Sequence, residues 1–269
     1  MSIQNRHQVR IAGADAGAAT LVFIHGFGCD QTMWRFLAPV YEVRFRTVTY
    51  DLVGCGKSDL AAYDRDKYAS LHGHAADLLE LLDAIGPGPV VLVGHSVGAT
   101  IGMLAAIAAP ARFLAQVMVG PSPCYINDDG YVGGFNREDL DGLIEAMDQN
   151  YVGWSHSVAQ MIMGAPNQPQ LSEELAERFC RNEPAITRHF ARATFYADHR
   201  ADVPRSTVPA LILQCSDDLI APREVGDWLH RNLPHSTLRV VRNVGHCPQM
   251  SAPTESSRAI DSFLAQALR

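Results

Sequence analysis

Gly94-His95-Ser96-Val97-Gly98 sets a serine between two glycines, where an apolar β-like run (89–93) gives way to a helix-like run (97–109). A serine at such a strand-to-helix switch is the pattern of a nucleophile exposed on a sharp turn. A backbone held this way stores about 1–3 kcal/mol. Glycine two residues to either side leaves room where a Cβ would meet the neighbouring strand and helix. The positive end of the helix then lies beneath the hydroxyl. Taken alone, the pentapeptide also reads as a glycine-bounded turn around a buried serine, so the chemistry depends on what shares its edge of the fold.

A serine hydroxyl needs a general base, the base needs an orienting acid, and the developing oxyanion needs donors. With this kind of turn the expected chain order is serine, acid, histidine. Asp217 and Asp218 follow the apolar run 210–214, and His246 follows the run 238–241 inside Asn243-Val244-Gly245-His246-Cys247-Pro248. Of the eleven histidines, His246 alone follows a late strand in a glycine-bounded loop. It is the expected base. Asp218 is preferred to Asp217 because it directly precedes the turn Leu219-Ile220-Ala221-Pro222; Asp217 reads as a turn or cap residue. His95 reads as packing and His25 as part of a donor loop. The oxyanion donors expected are the Val97 N–H and, in His25-Gly26-Phe27-Gly28, the Phe27 N–H; each such donor can lower the barrier by about 2.7–4 kcal/mol.

These groups reach one edge only if the intervening chain supplies strands and crossovers. Strand-like runs fall at 8–12, 20–25, 46–51, 89–93, 115–119, 210–214 and 238–241. The central runs are continuously apolar, as in a parallel sheet covered on both faces. Helical patterns at 32–41, 68–85 and 97–109 lie between them, and Leu71, Ala75, Leu78, Leu79 and Leu82 form one core-facing stripe. The alternation predicts an α/β chain with a mostly parallel, doubly wound sheet. Between 121 and 205 the rhythm stops and helical patterns fill the gap at 137–150, 154–163, 172–182 and 184–197. The expected division is a core of 1–120 and 206–269 with a helical cap, 121–205, inserted over the strand ends where ligands bind.

Composition narrows the function further. The 269 residues carry a net charge of −7 and are 47% hydrophobic. With no dense Lys/Arg run, nucleic acid and anionic membranes are not expected partners. The polar start, 1–10, does not read as a signal peptide. The apolar stretch 90–109 approaches membrane length, but Gly94, His95, Ser96 and Gly98 interrupt it, so it reads as a buried strand, a turn and a buried helix. The six cysteines form no CxxC pair and have no zinc spacing. Free thiols in a reducing cytoplasm are expected, with no metal and no cofactor. Cys29 and Cys247, beside residues of the expected site, read as buried filler rather than redox groups.

With these residues in place, the chain resembles the α/β-hydrolases and, more narrowly, the RsbQ family, which groups bacterial energy-stress regulators with the plant karrikin and strigolactone receptors. The segments that carry the resemblance are His25-Gly26-Phe27-Gly28-Cys29-Asp30-Gln31, Tyr50-Asp51-Leu52-Val53-Gly54-Cys55-Gly56-Lys57-Ser58-Asp59 and the Ser96 pentapeptide. Pro121-Ser122-Pro123-Cys124-Tyr125-Ile126-Asn127-Asp128 with Gly133-Gly134-Phe135, Leu213-Gln214-Cys215 with Asp217-Asp218, and Gly245-His246-Cys247-Pro248 complete it. The resemblance implies a V-shaped four-helix cap over a deep apolar pocket. Its lining would include Phe27, Tyr125, Leu143, Val158, Leu175, Phe195 and Ile220. Val158 and Leu175 stand where the plant receptors carry aromatics, which counts against the plant hormones as ligands. Two functions follow from the resemblance and the residues together. One is a serine hydrolase of a small hydrophobic ester or lactone. The other is a ligand-responsive regulator that works with a PAS-domain phosphatase or sensor protein in stress signalling.

Overall fold

The computed structural model describes residues 2–13 and 19–269. Met1, the first residue of the expected 1–120 core segment, and residues 14–18 lie outside the described residues.

Seven strands form one sheet: β1 (Arg10–Gly13), β2 (Thr20–Ile24), β3 (Arg46–Thr49), β4 (Val90–His95), β5 (Phe113–Val119), β6 (Ala210–Asp217) and β7 (Ser236–Val244). They lie in the order β1-β3-β2-β4-β5-β6-β7. Only β1 is antiparallel, pairing Arg10 with Thr49; every other pair is parallel. The sheet is therefore the mostly parallel, doubly wound α/β sheet expected.

Alternation along the strands divides the core between the two faces. On β5 and β6, Val117, Val119, Leu211 and Leu213 join one apolar cluster. Their neighbours Met118, Ala210 and Ile212 join a second, with Val225 and Leu229. Successive side chains of a strand point to opposite faces, so a central strand must be apolar throughout to be buried on both.

The helices are α1 (Ile3–Arg6), α2 (Ala38–Tyr41), α3 (Leu71–Ile85), α4 (Val97–Ala108), α5 (Arg137–Gln149), α6 (Tyr151–Met163), α7 (Pro169–Arg181), α8 (Pro184–Phe195), α9 (Arg223–Asn232), α10 (Pro248–Ser251) and α11 (Pro253–Ala267). α4 has its first ten residues buried, as expected of a helix that is hydrophobic all round. The apolar stretch 90–109 is thus strand, turn and helix inside the protein. No described helix is long and apolar enough to cross a membrane.

Several expected bounds shift by up to three residues: the strand expected at 8–12 is Arg10–Gly13, and the helices expected at 154–163 and 172–182 begin at Tyr151 and Pro169. Two expected helices also change in kind at their starts. The helix expected at 32–41 is a 3-10 turn, Gln31–Trp34, followed by the separate four-residue α2. Pro39, at the start of α2, has no N–H to continue an earlier helix. The helix expected at 68–85 begins at Leu71; a 3-10 turn, Lys67–Ala69, precedes it, and Ser70 is extended at φ −140°. The helices α9 and α11 were not singled out in the sequence. α9 lies beside β6 and β7, and α11 lies across β5, β6 and β7. Between β5 and β6, α5–α8 occupy the stretch without strand rhythm, which contains only isolated bridges such as Cys124 with Asp198.

Candidate active site

Ser96 lies between the end of β4 and the start of α4 with φ 55° and ψ −126°, a conformation that L residues rarely adopt. Its N–H donates to the Val119 carbonyl on β5 at 2.8 Å. The flanking glycines are sterically required. A Cβ on Gly94 would lie 2.5 Å from the Gly98 carbonyl oxygen, and one on Gly98 would lie 2.5 Å and 2.6 Å from the carbonyl oxygens of Ile24 and His25. The serine is therefore held where β4, α4 and the end of β2 meet.

The loop after β2 lies against this turn. A Cβ on Gly26 would approach the His95 Nδ1 to 2.5 Å. His25 holds the loop: its Nε2 accepts the Leu52 N–H at 3.0 Å, and its Nδ1–H donates to the Gly26 carbonyl at 2.8 Å. Accepting at Nε2 requires the proton on Nδ1, and burial lowers the pKa of this ring. The Phe27 and Val97 N–H groups donate to no acceptor among the described residues. Val97 opens α4, so its N–H is one of the unpaired donors at a helix start.

Asp218 and His246 meet at the same edge. Asp218 Oδ2 accepts from His246 Nδ1 at 2.8 Å, and Oδ1 accepts the Ile220 and Ala221 N–H groups at 2.9 and 3.1 Å. Burial acts to raise the Asp218 carboxyl. His246 and the two N–H groups outweigh it and hold the carboxyl below the ordinary carboxylate range. With Nδ1–H engaged, His246 Nε2 presents a lone pair, and it has no hydrogen-bond partner. The Asp217 carbonyl accepts the Gly245 N–H at 2.7 Å, while its side chain is exposed.

The backbone of His246 is gripped from both sides. Its N–H donates to the Ile162 carbonyl at the end of α6 at 2.8 Å. Its carbonyl accepts from His95 Nε2–H at 2.9 Å. His95 is kept neutral, since burial lowers its pKa to about 3. The expected packing role for His95 thus includes a specific hydrogen bond to His246, which sequence adjacency to Ser96 did not signal.

Of the expected lining residues, Phe195 touches both Phe27 and Tyr125, at 5.2 Å and 5.3 Å centroid to centroid, both edge-on. Leu143, Val158 and Leu175, on α5, α6 and α7, belong to the same wide apolar cluster. Ile220 joins it and also supplies an N–H to Asp218. Sequence reasoning missed Trp154, Phe179 and Phe190, whose rings surround Phe27 at 6.5, 5.6 and 5.6 Å. Their helical spacing made them indistinguishable from ordinary core. It also missed the Tyr125 hydroxyl, which lies 3.2 Å from Ser96 Oγ. Burial pushes this phenol up to about 12, so it keeps its proton. The available signal was its place, just past β5 at the strand edge that carries Ser96.

Among the described residues, no group of three or more His, Cys, Asp or Glu side chains is placed to hold a metal ion. All six cysteines are free. Burial pushes the Cys29 thiol up to about 12 and Cys247 well above its ordinary value, which suppresses the reactive thiolate.

The family model described as "Alpha/beta hydrolase family" matches residues 21–259. This chain belongs to the alpha/beta hydrolase family. Among its relatives, "Karrikin insensitive 2 receptor CA" of Petunia hybrida is 36% identical, the match covering 93% of each chain. "Strigolactone esterase D14" of Arabidopsis thaliana is 33% identical over 97% of this chain and 95% of that one. A solved hydrolase from Oleispira antarctica, olei00960, superposes with a TM-score of 0.95 at 38% identity, covering 98% of this alpha/beta hydrolase and 96% of that chain.

Proposed function

We propose that this chain is a serine hydrolase of a small hydrophobic ester or lactone. Ser96 is the nucleophile, His246 the general base, Asp218 the group that orients it, and the Phe27 and Val97 N–H groups the oxyanion donors. The carrying observation is the Asp218–His246 hydrogen bond of 2.8 Å, which leaves a buried Nε2 lone pair unused. A lone pair so held can take the serine proton and return it to the leaving group. The lining of Phe27, Tyr125, Leu143, Val158, Leu175, Phe195 and Ile220 favours an apolar acyl or lactone body.

The same reading divides the chain into a catalytic core, 1–120 and 206–269, and a cap, 121–205, and places the protein in the cytoplasm. Its support is the position of α5–α8 between β5 and β6 and the free state of all six cysteines. The test is intact-mass labelling with a fluorophosphonate. One adduct is expected on the natural sequence and none on Ser96→Ala; an adduct that survives the substitution identifies another nucleophile.

A second reading is favoured by the relatives named as receptors. In it the triad serves a ligand-responsive regulator of the RsbQ kind, acting on a PAS-domain phosphatase or sensor protein. Turnover of simple esters in the ordinary enzymatic range of about 1–1000 per second decides for the plain hydrolase. Slow turnover, together with ligand-dependent binding of a PAS-domain phosphatase, decides for the regulator.

A further inference from the structure

A second cleft, of about 370 Å³, opens beside β1 and β3 and shares no lining residue with the Ser96 site. Pro39 gives it an exposed apolar edge over the buried Trp34 and Ala38; Arg10, Arg35 and Lys57 bring three cations to it, and Asp30 and Asp51 two carboxylates. The hydrogen bonds already formed decide what it can accept. Asp51, buried, takes the Gln31 N–H on one oxygen at 2.9 Å and the Lys57 N–H on the other at 2.8 Å. Asp30 is held by the Thr32 N–H at 2.8 Å and by Arg178 of α7 at 2.6 Å. The Gln31 amide is also used at both ends, donating to the Gln8 carbonyl and accepting the Thr49 hydroxyl, each at 2.8 Å.

What remains unused is donor capacity. Among the described residues, the Lys57 ammonium has neither an ion pair nor a hydrogen bond. Arg10 uses one guanidinium nitrogen on Glu42 at 2.7 Å, and Arg35 reaches the Thr32 carbonyl at 3.3 Å and Glu174. A ligand here must therefore present acceptors to the cations and an apolar body to the exposed Pro39. The volume is that of a small-molecule site.

We infer that this cleft binds a small organic carboxylate, its charge on Lys57 and Arg10 and its hydrocarbon body against Pro39. The inference is independent of the hydrolase reading, because none of its residues takes part in the Ser96 chemistry.

The test is calorimetric titration of the full chain with benzoate, with neutral benzamide of the same shape, and with inorganic phosphate. Benzoate is expected to bind saturably and benzamide about tenfold or more weaker, the change that loss of a charge-assisted hydrogen bond brings. Lys57→Gln and Arg10→Gln, both on exposed side chains, are each expected to weaken benzoate about tenfold and leave benzamide unchanged. Benzoate seated at the Ser96 site would be indifferent to both substitutions, and that result overturns the inference. So does the absence of saturable benzoate binding up to roughly 20 mM, or phosphate binding tighter than benzoate.

Discussion

The Ser96 hydroxyl is hydrogen-bonded to the Tyr125 hydroxyl at 3.2 Å, while His246 Nε2, the expected proton acceptor, has no partner. The resting serine is thus engaged by a phenol from the loop after β5. In the proposed mechanism, a serine hydroxyl that donates to this phenol must turn from it to hand its proton to the imidazole.

Tyr125→Phe removes this resting bond and keeps the ring against Phe195. A neutral hydrogen bond contributes about 0.5–1.5 kcal/mol, so acylation of Ser96 by a fluorophosphonate is expected to accelerate by about two- to tenfold. A slower stopped-flow acylation rate would show instead that the phenol stabilises the transition state.

Asp218→Asn and Asp217→Asn separate two neighbours by geometry. The first removes the acceptor that holds His246 in its Nδ1–H form, and ester turnover is expected to fall about ten-thousandfold. The second changes an exposed side chain at the end of β6, and turnover is expected to stay within about twofold. A larger loss at Asp217 in steady-state kinetics reverses the assignment of the acid.

Gly98→Ala tests the packing beneath Ser96. Its Cβ would meet two backbone carbonyl oxygens within 2.6 Å, neither of which can turn aside as a side chain would. Destabilisation of about 3 kcal/mol is expected, measured as a lower urea midpoint and accompanied by loss of labelling at Ser96. An unchanged midpoint would mean that β2 and α4 can move apart.

Acid sensitivity follows from His74 and His95, which burial holds neutral with pKa values lowered from 6.5 to about 3. Below pH 6.5 the unfolded chain binds these protons and the folded chain does not. Stability is therefore lost as pH falls toward 3, by about 1.4 kcal/mol per unit for each group. His74 stacks on Tyr68 with centroids 4.5 Å apart, and neither of its ring nitrogens has a partner. His74→Phe is expected to preserve the stack and flatten the fall in urea midpoint between pH 6.5 and 4. A slope equal to that of the natural sequence would refute this.

How much was legible in the amino-acid order varies element by element. The 90–109 stretch was unambiguous, because a continuously apolar run interrupted by Gly-His-Ser-Val-Gly has one compact solution: buried strand, turn, buried helix. Asp218 and His246 were legible for a related reason. Each follows an apolar run, and parallel strands bring their carboxyl ends to one edge. The region 31–41 was less legible. The apolar spacing at 32–41 suits a continuous helix, but Pro39 cannot continue one, and the chain forms a 3-10 turn and restarts at Ala38.

The order of residues by itself determined the sheet class and the tight turn at Ser96, and it pointed to the pairing of Asp218 with His246, because periodicity and glycine placement are local and steric. Only the tertiary structure decided which neighbours those groups meet. Tyr125 reaches Ser96 from 29 residues away and His95 holds the His246 carbonyl across 151, while Ile162 of α6 holds its N–H. Trp154, Phe179 and Phe190 close around Phe27. Such contacts join segments whose separation along the chain carries no signal of proximity. They arise when segments distant along the chain pack together, and no local pattern records that step.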